Sequence, residues 1–133
     1  MNAILKNSLA GDAFALAYSD RCRICALPLP PRSAGEGICS RRCAGLRGES
    51  AAVEEQAHAL MERLLAEVAR LRRGTTVCPV DLAQRVLPQV AQALTVLRPL
   101  IFELAESGRL RLSQKGALVR WPKISGPFRI GPK

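Results

Sequence analysis

Histidine is almost missing from this 133-residue chain, where His58 stands alone, and the scarcity narrows the chemistry at once. A serine or cysteine nucleophile needs a neighbouring base. His58 falls near the polar boundary of a helix with no cysteine pair beside it, so neither a catalytic nor a ligating role is expected of it. Glycines do not stand in a phosphate-cradling spacing, and no pair of carboxylates flanks a candidate pocket, so no catalytic residue is assigned and the chain is not expected to be an enzyme. Long apolar runs are lacking too, none approaching the about 20 residues of a membrane span. The N-terminus carries Lys6, Asp12 and no clean apolar core for a secretory signal. A soluble, cytoplasmic protein is expected. Repeats and low-complexity stretches are absent, and acidic residues disappear altogether from the last 25 positions.

Cysteine, by contrast, is plentiful and patterned. Of five, Cys22, Cys25, Cys39 and Cys43 stand as C-x2-C-x13-C-x3-C. Two short-spaced thiol pairs separated by a loop suit a tetrahedral Zn²⁺, because each pair grips one edge of the tetrahedron. In a reducing compartment such thiols bind metal rather than pair as disulfides, and the odd fifth cysteine, Cys78, points the same way. Cys78 itself is expected to be a small buried side chain. Four thiolates leave no open position on the ion, so one Zn²⁺ would be structural, with an iron–sulfur cluster as the alternative occupant. A satellite below about 40 residues needs such a staple to fold. The loop from Leu27 to Ile38 is rich in proline and glycine, and helix is expected to begin near Ser40, with Cys39 at its N-terminus where free N–H groups favour a thiolate. Arg21, Arg23, Arg41 and Arg42 flank the ligands, either to offset the negative charge of a four-thiolate centre or to face a phosphate backbone.

Downstream, the apolar spacing is helical. Val53, Ala57, Leu60, Met61, Leu64, Leu65, Val68 and Leu71 form one stripe, with Ser50 placed to cap the start and Gly74 to end it. Thr75-Thr76-Val77 is short and β-branched, and a second helix is expected from Pro79 to Val86. A third should start at a Thr95 cap, so that Pro99 falls in its first turn, and close at Gly108. Its face is apolar, with Glu103 and Glu106 on the exposed remainder, which argues against base reading through this helix. Beyond Gly108 the period becomes two: Leu110 and Leu112 alternate with arginines, Ser113 to Gly116 reads as a turn, and Ala117 to Trp121 returns as a strand. Helix, short strand, two helices and a hairpin follow in the order of a winged helix.

The charge sits at the end. Of the net +9, the acid-free block Arg109, Arg111, Lys115, Arg120, Lys123, Arg129 and Lys133 supplies most. Such a strip is the footprint of a polyanion binder, most often nucleic acid. The expected nucleic-acid-binding residues are Arg98, Arg109, Arg111, Lys115, Arg120, Lys123 and Arg129, with Arg41 and Arg42 as additional basic contacts. Trp121 and Phe128 lie among these charges, where core packing is favoured over stacking on bases.

Two resemblances follow from particular motifs. Thr76 to Pro79 (T-x-C-P), Leu97-Arg98, Ala105 to Leu110 (A-x-x-G-R-L), Gln114 to Gly116 and Gly126 to Ile130 (G-P-F-R-I) make about residues 51–131 resemble a bacterial winged-helix family of unknown function. Residues 21–44, with C-x2-C followed by C-S-x-R-C, resemble short bacterial zinc-binding modules, and their cysteine spacing alone is similar to that of the zinc-dependent DNA gyrase inhibitor family. The fold expected is mainly α with a small β-hairpin: a flexible N-terminus at 1–20, a Cys₄ zinc knuckle at 21–48 and a winged helix-turn-helix domain at 49–133. The function expected is that of a non-enzymatic zinc protein that binds nucleic acid, largely through phosphates, in a regulatory or accessory role. The alternative is a protein–protein adaptor using the knuckle and the apolar third helix, and neither a membrane nor a small-molecule substrate is expected.

Overall fold

Helix α1 (Arg41–Ala44) begins where Ser40 caps it: in extended backbone (φ −161°, ψ 168°), its Oγ accepts from the Cys43 N–H at 3.3 Å. In this computed structural model, residues 21–27, 29, 37–120, 124 and 126–133 are described. The expected flexible N-terminus at 1–20, Trp121 and Lys123 lie outside the described residues.

After a turn at Gly45 and Leu46 come α2 (Arg47–Glu55) and α3 (Ala57–Ala69). The single helix expected through Val53 to Leu71 is therefore two, separated at Gln56, whose backbone (φ −107°, ψ 17°) leaves the helical region. The Gln56 N–H reaches the carbonyls of both Ala52 and Val53 at 3.2 Å, a shared, three-centre end to α2. Across this break the buried stripe continues unbroken through Val53, Ala57, Leu60, Leu64 and Val68. Ser50 lies inside α2, its N–H on the Leu46 carbonyl at 2.8 Å, rather than capping it. At the far end α3 stops at Ala69, and Gly74 (φ +84°) serves the turn that follows instead of the helix end.

Helix α4 (Pro79–Val86) occupies the span expected of it, with Pro79 in its first turn beside Asp81. Helix α5 (Ala93–Glu106) departs from expectation at its start. It begins two residues ahead of Thr95, with Gln92 at the cap, and Pro99 stands in its interior. An interior proline costs about 3 kcal/mol. Val96, Leu97, Leu100, Ile101 and Leu104 around it are all buried, and each buried side chain returns about 1.5–3 kcal/mol, so packing outweighs the missing hydrogen bond. At the other end Gly108 (φ +79°) follows the helix, and the Arg109 N–H returns to the Leu104 carbonyl at 2.9 Å.

Three strands close the fold: β1 (Leu110–Gln114), β2 (Ala117–Val119) and β3 (Arg129–Pro132), all antiparallel in the order β2-β1-β3. The hairpin turn is tighter than the four residues expected, consisting of Lys115 (φ +52°) and Gly116 (φ +82°) alone, both left-handed as a two-residue turn requires. Strand β3 was not expected. It makes β1 the central strand, pairing Arg111 with Gly131 and Ser113 with Arg129, and Val77 bridges to Ile130 as the remnant of the short β-branched segment.

Helix α5 packs against α2, α3, α4 and β1 at the centre of the molecule, and none of its residues is exposed. Glu103, expected on an outer face, is buried there. Phe102 and Phe128 meet with ring centroids 5.7 Å apart, which places Phe128 in the core. The sheet alternates as a half-buried sheet should: Leu110 and Leu112 turn inward while Arg111 faces out. No helix among the described residues is long and apolar enough to cross a membrane.

Candidate metal centre

The first thiol pair sits on a tight turn. The Cys22 N–H bonds to the Leu27 carbonyl at 2.8 Å, the Ala26 N–H returns to the Cys22 carbonyl at 2.9 Å, and Ala26 takes a left-handed conformation (φ 62°) to close it. The Ile24 N–H points at Cys22 Sγ from 3.4 Å, a donor that stabilises negative charge on sulfur. Cys39 and Cys43 lie on either side of the α1 cap, one turn of chain apart. The Arg23 N–H donates to the Gly37 carbonyl at 2.8 Å and so ties the two halves together. A side chain at Gly37 (φ +73°) would meet Arg23 Nε at 2.9 Å, so the guanidinium lies directly over that glycine.

All four sulfurs fall within 4.8 Å of one another. Cys39 Sγ is 3.7 Å from Cys25 Sγ and 3.6 Å from Cys43 Sγ. A tetrahedron with metal–sulfur bonds of about 2.3 Å has edges of about 3.8 Å, so the spacing fits a four-thiolate ion. Cys22, Cys25 and Cys43 are buried and Cys39 is half-buried, which leaves a closed site with its donors already gathered. Cys78 is apart from this cluster, half-buried rather than fully buried at the cap of α4.

Protons are unevenly held among these thiols. The bond from Cys25 holds Cys22 down to about 4, far below an ordinary thiol, with burial opposing it. Cys25 is pushed up correspondingly, first by that bond and then by burial. Burial, followed by the contact with Cys39, raises Cys43 to about 11. Loading a metal would therefore have to displace protons from at least Cys25 and Cys43.

The arginines divide by role. Arg21 is buried, its Nη1 pointing at the Ala26 carbonyl from 3.5 Å, while Arg41 and Arg42 stand exposed on α1. Arg98, expected to face nucleic acid, is half-buried on α5 and donates from Nη1 to the Cys25 carbonyl at 3.3 Å. It joins the metal turn to the central helix. A span of 73 residues separates the partners, which is why the sequence showed only a free cation.

The remaining basic candidates lie on or beside the sheet. Arg111 and Lys115 are exposed and carry no ion pair among the described residues. Arg109 reaches Glu62 at 3.4 Å and Arg120 reaches Glu106 at 3.0 Å, both surface pairs of small strength. Arg129 is spent on Thr76, with Nε on its Oγ1 at 2.8 Å and Nη2 on its carbonyl at 3.2 Å. Lys123 lies outside the described residues, and His58 is exposed on α3. Arg73, which sequence spacing did not single out, shares an outer-face cleft with Arg111. Its adjacency to Gly74, where the chain turns back over the sheet, was the available clue.

Residues 54–132 match a family described as protein of unknown function (DUF3253). No curated protein matches the chain.

Proposed function

Because the chain belongs to the DUF3253 family of proteins of unknown function, which assigns it no activity, we propose its role from its own residues: a non-enzymatic, zinc-stapled module that binds nucleic acid through phosphates. The order α3, Val77, α4, α5 and hairpin supports a winged helix, with β1 and β2 as the wing. Four sulfur donors favour zinc over a hard cation, and an ion held by all four would be structural rather than catalytic. Thiols kept as ligands suit a reducing, cytoplasmic setting.

The observation that carries the reading is the contrast between α5 and the hairpin. A helix whose residues are all buried or half-buried offers little to a major groove, whereas Arg111 and Lys115 stand unpaired on the hairpin, with Arg109 and Arg120 in weak surface pairs beside them. Binding should then follow charge rather than sequence. With α5 buried or half-buried along its length, the adaptor reading has less apolar surface to rest on among the described residues. Exposed large apolar side chains among the described residues are Val80 and Leu118 only.

Titration of the zinc-loaded chain with duplex and single-stranded DNA and RNA, repeated across salt, tests this. About four phosphate contacts give a log–log salt slope near −3 to −4 on duplex DNA, with little preference among sequences. Absence of binding at low salt, or an affinity indifferent to salt, would overturn it.

A further inference from the structure

On its outer face the sheet carries a cleft of about 240 Å³, walled by the turn between α3 and α4 on one side and by β1 and β3 on the other. Arg73, Arg111 and Lys133 line it, and no aspartate or glutamate side chain does. Thr76 and Ser113 bring hydroxyls, while the Thr75 hydroxyl is already donated to the Arg72 carbonyl. Basic side chains with no carboxylate side chain among them give the cleft a positive potential that favours an anion.

Two features make the cleft a formed space rather than a gap between surface side chains. Gly131 stands opposite Arg111 in the β1–β3 ladder, so the position across from the guanidinium carries no side chain. A Cβ there would approach the Thr75 carbonyl to 3.1 Å and Thr76 Cγ2 to 3.3 Å, so glycine lets the turn press against the strand and form the wall. Arg129 then fixes that wall. Its Nε donates to Thr76 Oγ1 at 2.8 Å, which occupies a lone pair and leaves the hydroxyl hydrogen able to donate elsewhere.

The lining tells which anion. It contains no aromatic ring for a base to stack on, and its volume is below the about 300–1,000 Å³ of a cofactor or drug-sized pocket. Planar guanidinium forks with hydroxyl donors match the tetrahedral oxygens of phosphate. Leu118, 67% exposed at the rim, offers an apolar contact to whatever the phosphate is attached to.

We infer that this cleft is a seat for one phosphate group, held by Arg73 and Arg111 with the Thr76 hydroxyl. The phosphate is either a backbone phosphate of the nucleic acid proposed above, in which case the inference rests on that reading, or a free phosphoester. The experiment is an amide and arginine-Nε NMR titration of the zinc-loaded chain, in phosphate-free low-salt buffer, with inorganic pyrophosphate and separately with a short duplex DNA. Shifts confined to residues 73–76, 111–113 and 131, and at least a tenfold loss of pyrophosphate affinity in R73Q/R111Q but not in R41Q/R42Q, are expected. Unchanged thermal melting shows that each double variant is folded. Displacement of pyrophosphate by the duplex assigns the seat to a backbone phosphate. Pyrophosphate binding here with no duplex binding at all upholds the seat for a free phosphoester while the nucleic-acid reading falls. Duplex binding that R73Q/R111Q weakens by no more than the loss of about one phosphate contact, with pyrophosphate shifting no residue of the cleft, refutes the seat and spares the nucleic-acid reading.

Discussion

Replacing Arg98 by Met isolates the contact through which the cysteine turn holds the central helix. The wild-type guanidinium donates to the Cys25 carbonyl at 3.3 Å, and a bond from a charged donor is worth about 1.5–3 kcal/mol. Against this, Arg98 Nε is buried without a hydrogen-bond partner, a burden of about 1 kcal/mol that the substitution removes. Met keeps most of the aliphatic stem and its packing. The net loss in the zinc-loaded protein is then about 1 kcal/mol, which lowers the melting temperature of a chain this size by about 4 °C. The Cys25 carbonyl holds its position only while the thiol turn is folded, and that turn is too small to persist without its ion. With chelator the same substitution should therefore cost less than about 1 °C. Thermal unfolding followed by circular dichroism, for wild type and R98M each with zinc and with chelator, completes the cycle. Equal losses in both conditions would refute the coupling of metal to α5, and so would no loss with zinc present.

Two further outcomes follow from the same structure. Phe102 is fully buried against Phe128, so Phe102→Ala should cost about 3–5 kcal/mol, read as a lowered urea midpoint with little change in slope; a loss below about 1 kcal/mol would mean the ring pair is not part of the core. Zinc binding near neutral pH should release at least two protons. Cys25 and Cys43 are both raised in the gathered site and are ordinary protonated thiols when the turn is unfolded, so each has a proton to give in either state. The bound state carries fewer protons, so affinity rises with pH, by about a hundredfold per unit when two are released. Calorimetry in buffers of different ionisation enthalpy counts them, and a value clearly below two would contradict this proton distribution.

Spacing made the metal cluster legible because a C-x2-C and a C-x3-C pair must each present two sulfurs to one point, whatever the surrounding fold. Helix α4 was equally plain, since Pro79 and Asp81 mark its start chemically. The break at Gln56 was not, because a change in backbone angle that keeps Val53 and Ala57 on one buried face leaves the apolar period intact. Pro99 misled for the opposite reason: its local penalty is visible in the sequence, while the burial that overcomes it is distributed over five neighbours. Strand β3 escaped notice because Arg129-Ile130-Gly131-Pro132 has almost no strand propensity of its own and exists by pairing with β1. Among the basic residues charge was readable and availability was not. Arg98 and Arg129 are both engaged by partners more than 50 residues away.

Helix α2 also sets a phase. Between Cys43 and the start of the family match at residue 54 the chain is almost continuously helical, with only the Gly45-Leu46 turn intervening. Each residue of helix turns the chain by about 100° and advances it about 1.5 Å. One residue inserted in α2 would thus swing Cys43 around the helix axis and carry the whole sulfur cluster off the face of α5 that Arg98 occupies, although every ligand and every core side chain remained. The length of α2 is as much a determinant of the metal site as the cysteines, and such modules can be exchanged between chains only in register.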